Sequence, residues 1–437
     1  MYLSSDPWDH DISPYIGDVK IPELSRIRQR FTTTEISDLE QHVREHFTSF
    51  LEDRDLRGKR IAVTAGSRQI SGLVTILKTI VGILKERGAD PFVVAAMGSH
   101  AGATGEGQRG FLATLGITEE AVGTRIVSQM ETVLIGRLES GMPVYCDKAA
   151  SEADGVIVMN KIKPHADFKG DVESGLCKMM AIGLGKRDGA ALFHTMGFGV
   201  FATLIPQVAE CYLENLNILC GVGIVENSFD RPMICEFIAP QKIISREKDL
   251  LVIAKENMAR LLMDRIDVLV VDRIGKNISG QGMDPNVTGR TGSTLHKLFN
   301  EDLVDRIVVL GLTEETHGNF AGLGMADFST TDVVKGLDFK ATYINEVTSR
   351  TIPPARLPFL VKNDRQAIQM GIYTCDAFSS GKIRLVHIRD TAHLEEIEVS
   401  PAMLWEMAAG SYSFENGEGP VWTEMEFEDG KLHSRLM

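Results

Sequence analysis

Short apolar runs that end in polar, glycine-bearing loops recur along this chain, and they constrain its fold more than any other feature. Arg60–Thr64 leads into the turn Ala65–Arg68, Pro91–Met97 into Gly98, Ser99 and His100, and Val156–Met159 into Lys161, Lys163 and His165. Continuous apolar runs without polar alternation suit strands buried on both faces, and such strands belong to parallel sheets covered by helices. Between the first two runs, Gly72–Arg87 carries an amphipathic helical pattern, which gives a βαβ start. Thr104 is placed to cap a helix running through Phe111. Ligands of open α/β sheets gather beyond the carboxyl ends of the strands. Arg68, His100 and His165 each follow a strand-like run, so they are expected on one rim. One histidine in such a loop is ordinarily just a hydrogen-bonded loop residue; three convergent side chains carry more weight.

The third run opens the most unusual window, Val156–Phe198. It holds His165 and His194 toward its two ends, Lys178 inside an apolar helical pattern, and glycines at 170, 175, 183, 185, 189 and 197. Each glycine costs a helix about 1 kcal/mol relative to alanine, so their number points to close backbone approach rather than to a plain core helix. On one continuous helix, Lys178 and His194 would stand on the order of 24 Å apart. Sharing a ligand therefore requires the chain to turn back, and Gly183, Gly185 and Gly189 offer positive φ for that turn. The expected order is strand, loop with His165, helix with Lys178, glycine turn, second helix with His194. Lys178 lies among Leu176, Cys177, Met179, Met180 and Ile182, where desolvation favours the nucleophilic free amine. His194, beside Ala190, Ala191, Leu192 and Phe193, suits metal ligation with little competition from water. The plainer alternatives are a snorkelling lysine and a core imidazole.

With 437 residues the chain is long enough for more than one domain. The first pattern fades near 225–245, which divides the chain into an N-terminal α/β domain, 1–240, and a C-terminal α/β domain, 241–437. Roughly the last 40 residues have room to return to the first domain. Residues 1–30 read as an extended arm, with a first helix near Thr34–Leu51. The second domain is expected to hold a helix at Lys248–Met263 and strands at Val268–Val271, Ile307–Leu310 and Arg384–Ile388. Helices are expected near Ser329–Gly336 and Pro401–Ala409. Its glycine-rich loop Asp272–Arg290 contains Lys276. Two α/β lobes facing each other through their post-strand loops would enclose an interdomain cleft, a common place for small-molecule sites. A net charge of −14 argues against a nucleic-acid surface. No apolar run approaches the roughly 20 residues that cross a bilayer, and the acidic start is no signal peptide. Six cysteines without C-x-x-C spacing exclude a disulfide framework and a cysteine-rich metal site. A cytoplasmic protein is expected.

At these residues the chain resembles the nickel-pincer-nucleotide lactate racemases, most strongly over residues 60–200. The resemblance implies that Arg68 holds a substrate carboxylate, that His100 (in Gly98-Ser99-His100) and His165 are the catalytic acid/base pair, and that Lys178 carries the nickel-pincer nucleotide covalently. It further implies that His194 ligates the nickel and that Ser67, Arg68 and Gly175 contact the cofactor. The interval from Lys178 to His194 is its most specific item. Cofactor maturation proteins encoded elsewhere are implied as partners. Two departures stand out. The His165–Lys178 spacer is longer than in the lactate racemases and carries Asp167, Lys169, Asp171 and Glu173. Aligned on Asp284 and Asn286, the second lobe offers Thr288, Gly289 and Gly292 where the family has tyrosine, glutamine and lysine. Arg290 or Lys276 is then left to supply the second cationic anchor, and the smaller side chains imply room for a larger 2-hydroxy acid, such as an aldonic sugar acid. The implied activity is inversion at C2 by hydride transfer to the cofactor. Two alternatives stand beside it: a zinc-dependent hydrolase or lyase using the histidines, and a non-catalytic binding module.

Overall fold

The apolar runs do form a parallel sheet. In a computed structural model that describes residues 11–433 and Leu436, Arg60–Ala65 lies between Asp90–Ala95 and Gly155–Lys161, parallel to both. Ile126–Val127 extends one side; Ile218–Glu226 and then the antiparallel Pro232–Ile238 extend the other. The inner strands carry Ile61, Val63, Val93, Ile157 and Val222 into one core with the helix Leu73–Glu86. That helix buries Ile76, Leu77, Ile80, Ile83 and Leu84, the three-and-four spacing of a core-facing stripe. Caps set the helix starts: Asp38 accepts from the Gln41 amide and Thr104 from the Gly107 amide.

The chain divides into two units. One is Thr32–Met258, which contains this sheet; the other is Met1–Phe31 together with Ala259–Met437. The sequence-based boundary at 240/241 falls just before the helix Ile243–Asn257, which packs in the first unit although the sequence suggests Lys248–Met263 as the first helix of the second. That helix buries Leu250, Leu251 and Ala254, and Leu250 meets the Ile218–Glu226 strand at Gly223. Hydrophobic pattern alone gives no partner, so it could not assign the helix to a side.

The second unit has its own eight-stranded sheet. Five parallel strands run in the order Phe359–Val361, Phe328–Thr330, Val304–Val309, Ile266–Val271, Leu385–Ile388, and three antiparallel ones follow: Glu396–Val399, Ser25–Gln29 and Tyr412–Phe414. The described part of the N-terminal arm is thus partly a strand, alternating buried and exposed residues from Ser25 to Gln29; residues 1–10 of that reading lie outside the described residues. Among the described residues no single helix is long and apolar enough to cross a membrane.

Candidate active site

Arg68, His100 and His165 sit in loops beyond the carboxyl ends of three adjacent parallel strands. The loops touch one another through the segment that follows Lys178. A Cβ on Gly66 would meet Met179 Cε at 2.9 Å, and one on Gly98 would meet the Ile182 carbonyl at 3.1 Å. The Gly98 amide also donates to the Gly183 carbonyl at 3.2 Å. The first two loops therefore close down on the Lys178 segment, and glycine is what lets the backbones meet.

Lys178 ends a short α-helical turn, Leu176–Lys178, which continues as a π-helical stretch, Met179–Leu184. Such wide turns are uncommon and concentrate at functional sites. The reversal toward His194 is made differently from the expectation. Gly183, Gly185 and Gly189 are not among the positive-φ residues; Lys186 is, at φ 51°. The glycines are needed for space: a Cβ on Gly183 would lie 2.8 Å from the Ala96 carbonyl, and one on Gly185 would lie 2.5 Å from the Ala181 carbonyl. Lys186 tolerates its strained backbone because its side chain is fully buried and engaged. Its Nζ donates to the Ala95 carbonyl at 2.5 Å and to Gln108 Oε1 at 3.3 Å, and lies 3.1 Å from Asp147 Oδ2, a charge contact outside hydrogen-bond alignment. Burial lowers the affinity of Lys186 for its proton and raises that of Asp147. Gln108 in turn donates to the Gly98 carbonyl at 2.9 Å, which ties the His100 loop to the start of the His194 helix, Lys186–Met196.

The chemical centre is the contact between Lys178 and His165. Lys178 Nζ lies 2.5 Å from His165 Nε2, and the Asp167 amide donates to His165 Nδ1 at 3.0 Å. An imidazole that accepts at Nδ1 carries its hydrogen on Nε2 when neutral, and in that tautomer Nε2–H donates to Lys178 as its free amine. The electrostatics agree. Burial, then Lys178, Arg68, Lys163 and Lys169, hold His165 well below the usual histidine range. Burial, then Arg68, bring Lys178 down to about 7, with Asp167 opposing. Asp167 Oδ2, 3.5 Å from Nδ1, stands ready for the ring when it takes a second proton. In a chain of net charge −14 this concentration of cations marks a place for an anion.

An aromatic wall borders the pair. His165 packs on Phe168 with ring centres 4.5 Å apart, and Phe198 stands 6.3 Å from His165 and 6.3 Å, edge-on, from His194. Phe201 contacts Phe168, Phe193 and Phe198. Lys178 and His194 thus converge on one aromatic neighbourhood through His165 and Phe198. His100 is exposed, and its Nδ1 lies 2.5 Å from Ser67 Oγ. Arg68 is accessible by surface area, yet the protein around its guanidinium desolvates it enough to lower its proton affinity, as at the mouth of a recess rather than on open surface. Gly175 begins the Lys178 helix; its carbonyl accepts from Asn160 Nδ2 at 2.9 Å.

The two anchors expected from the second unit have other employment. Arg290 pairs with Asp327 at 2.6 Å and donates to the carbonyls of Met325, Val304 and Asp305, a clamp at the amino end of the Val304–Val309 strand. Lys276 donates to the Gly280 carbonyl at 2.7 Å and lies 3.9 Å from Glu346. The expected extra room is filled as well. Thr288 is buried, a Cβ on Gly289 would lie 1.9 Å from the Asn300 carbonyl, and one on Gly292 would lie 2.4 Å from the Pro354 ring. These small residues serve close packing, which correspondence of positions in sequence could not reveal. A cavity of about 330 Å³ in this unit, lined by Thr313, Glu314, Asp332, Asp364 and Lys431 among others, holds none of the expected site residues.

Sequence reasoning missed Phe198, Lys186 and Glu247, and named Glu173 only as a spacer charge. Phe198 had no signal beyond its nearness to His194. Among the described residues no three His, Cys, Asp or Glu side chains gather as a metal-ligating set. A group that brings most of its own donors asks less of the protein. A single imidazole at His194, an amine of lowered proton affinity at Lys178, a cluster of tilted and edge-on aromatic rings and surrounding cations fit a metal-bearing anionic heterocycle.

Residues 55–199 match the family model of the lactate racemase N-terminal domain. A solved structure of a protein from Thermotoga maritima is similar at a TM-score of 0.50 and 14% identity, covering 77% of this chain and 92% of its own. The lactate racemase apoprotein from Thermoanaerobacterium thermosaccharolyticum gives 0.49 at 12% identity, covering 84% of this chain and 99% of its own. No curated protein sequence matches the chain.

Proposed function

We propose that this chain, a relative of the lactate racemase family through residues 55–199, inverts the C2 centre of a 2-hydroxy acid on a nickel-pincer nucleotide attached through Lys178. The observation that carries the reading is Lys178 in contact with His165, brought by burial and then Arg68 down to about 7 within a cationic, aromatic-walled rim. When bound, the nucleotide would supply a hydride acceptor for the hydrogen on C2 and a nickel ion that His194 would ligate.

The chain's own residues do the rest. Arg68 is accessible at the rim and presents a planar fork matched to the substrate carboxylate. His100 and His165 come from two loops and serve the two faces of C2. One takes the hydroxyl proton as the alcohol becomes a 2-keto acid, and the other returns a proton to the oxygen when C2 is reduced on its opposite face. His165 begins this work neutral, because burial first, and then the charges of Arg68, Lys163 and Lys169, hold it so, and Asp167 Oδ2 faces Nδ1 when the ring charges. Ser67 meets His100 at Nδ1 and so orients the ring on its loop.

The test is co-expression with pincer-nucleotide maturation proteins, followed by intact-mass and nickel analysis. The wild type is expected to carry the cofactor mass and one nickel; Lys178→Ala should lose both, and all turnover. C2-deuterated substrate should keep its label in the product, since hydride returns to the carbon it left. The substrate panel pairs lactate with C2-epimeric aldonic acids. The family's tyrosine, glutamine and lysine are absent from Thr288–Gly292, which argues against lactate, whereas the tight packing there withdraws the argument for a roomier pocket. Activity in Lys178→Ala, or loss of the deuterium to solvent, would count against the mechanism.

A further inference from the structure

The helix Ile243–Asn257 contributes nothing to the rim, yet it touches the backbone beneath both members of the Lys178–His165 pair. Lys255 Nζ lies 2.6 Å from Glu173 Oε1. Glu173 is completely buried, and its Oε2 accepts the His165 amide at 2.6 Å while Oε1 accepts the Gly170 amide at 3.3 Å. Lys169, 3.7 Å from Glu173, donates to the His165 carbonyl at 3.2 Å. Both backbone polar groups of His165 are therefore held by one charge cluster, and Lys255 joins that cluster to the helix. Two turns earlier on the same face, Glu247 accepts the Cys177 amide at 2.8 Å, in the first turn of the Lys178 helix. Its other oxygen abuts Gly175, where a Cβ would come within 2.2 Å. The charged spacer that lengthens the His165–Lys178 interval thus has a physical purpose, because it is the part of the loop that meets this helix.

We propose that the Ile243–Asn257 helix is a positioning element for the reactive pair, with Lys255 acting through Glu173 on His165 and Glu247 acting on the turn that bears Lys178. The meaning of the pair rests on the racemase reading, but the geometry and the test do not. A loop fixed at both backbone groups of His165 keeps the ring over Nζ and excludes water, and removing that hold admits water to the amine.

The experiment is competitive amine labelling of the full-length, cofactor-free protein across pH, with the Lys178 peptide read by mass spectrometry and the fold checked by thermal melting. In the wild type Lys178 should label with a midpoint near 7, the value its burial sets. Lys255→Met and Glu173→Gln should move that midpoint toward the ordinary lysine value by about one unit or more. Glu247→Ala should move it the same way, while Glu247→Gln, which keeps an acceptor for the Cys177 amide, should restore most of the wild-type behaviour. Lys248→Met is the control: it breaks only the exposed pair with Asp171 and should leave the midpoint in place. If Glu173→Gln does not fold, Lys255→Met still decides. A folded Lys255→Met protein with an unmoved midpoint overturns the proposal, even if its melting temperature falls. Because no cofactor or turnover is involved, a failed racemase assay leaves this result standing, and an unmoved midpoint in an active racemase removes this proposal alone.

Discussion

Two buried histidines, one in each unit, have been driven to opposite charge states. His165 lies among Lys178, Arg68, Lys163 and Lys169, and is held neutral. His387, on the Leu385–Ile388 strand, is completely buried with Asp272 Oδ1 2.8 Å from Nε2 and Glu398 Oε2 2.8 Å from Nδ1. Burial alone would lower its pKa, but the two carboxylates outweigh it and raise it to about 9. Glu398 is further paired with Arg26 at 3.2 Å, on the strand that the N-terminal segment adds to the sheet. Burial favours the neutral ring in both, and it leads for His165, where the cations add to it; for His387 the carboxylates overturn it. Carboxylates on both nitrogens keep the ring charged near neutral pH and fasten strands together. Cations around the ring produce a base that can be charged only at a cost, which is what proton transfer requires.

The largest expected effects break the comparison along that line. His165→Ala should lower turnover by about 10²–10⁴-fold with little change in melting. His387→Ala should cost about 3–5 kcal/mol of stability, since it removes the cation between buried Asp272 and half-buried Glu398, with little change in turnover per folded molecule. Urea titrations and initial rates on the same two variants check both halves. Swapped outcomes would mean that the roles of the two rings have been exchanged.

A smaller effect follows from pH. A histidine whose folded pKa is about 9 stabilises fully below its unfolded value of 6.5, and that contribution is lost as pH rises through about 9. The second unit should therefore weaken between these limits. Lys178 acts in the opposite direction: its folded value of about 7 lies below the ordinary 10.5, so the first unit should gain stability with rising pH over that interval. His387→Leu should flatten the first slope and Lys178→Met the second. Chemical denaturation from pH 6 to 10 on the two variants separates them; a slope that survives its own variant belongs to another group.

The contrast also shows what was readable in advance. Strand-then-loop repetition marked Arg68, His100 and His165 because it is local: the same residues that make a buried strand fix where its loop emerges. The Lys178–His194 interval suggested a break in the helix at a glycine, and the residue with positive φ in that interval is Lys186, whose side chain is held by Ala95, Gln108 and Asp147. Those partners are distant in sequence, and nothing near Lys186 announces them. Glu173 was legible only as one charge of the His165–Lys178 spacer, and it is completely buried, where Lys255 meets it from a helix some eighty positions on. Arg290 and Gly292 failed for the same reason: an aligned position does not report what packs against it, here Asp327 and the Pro354 ring. Local pattern placed the rim, while long-range contacts decide which charges on it are reactive.

The smallest expected effect sharpens the comparison most. Lys163 contributes to the low proton affinity of both His165 and Lys178 and ranks behind burial and Arg68 in each case. Lys163→Met removes one charge and leaves the burial unchanged, so both groups should bind protons slightly more tightly. The shift of Lys178 should be smaller than the one produced by Lys255→Met, which opens the site to water. It should also fade as salt is raised, because screening weakens a charge acting through partly exposed surroundings and leaves desolvation untouched. Amine labelling of the cofactor-free protein at low and high salt measures this directly. A shift in Lys163→Met that persists unchanged in high salt would mean the lysine acts by packing on the loop, and the neutrality of His165 would then rest on burial more than on the sign of its neighbours.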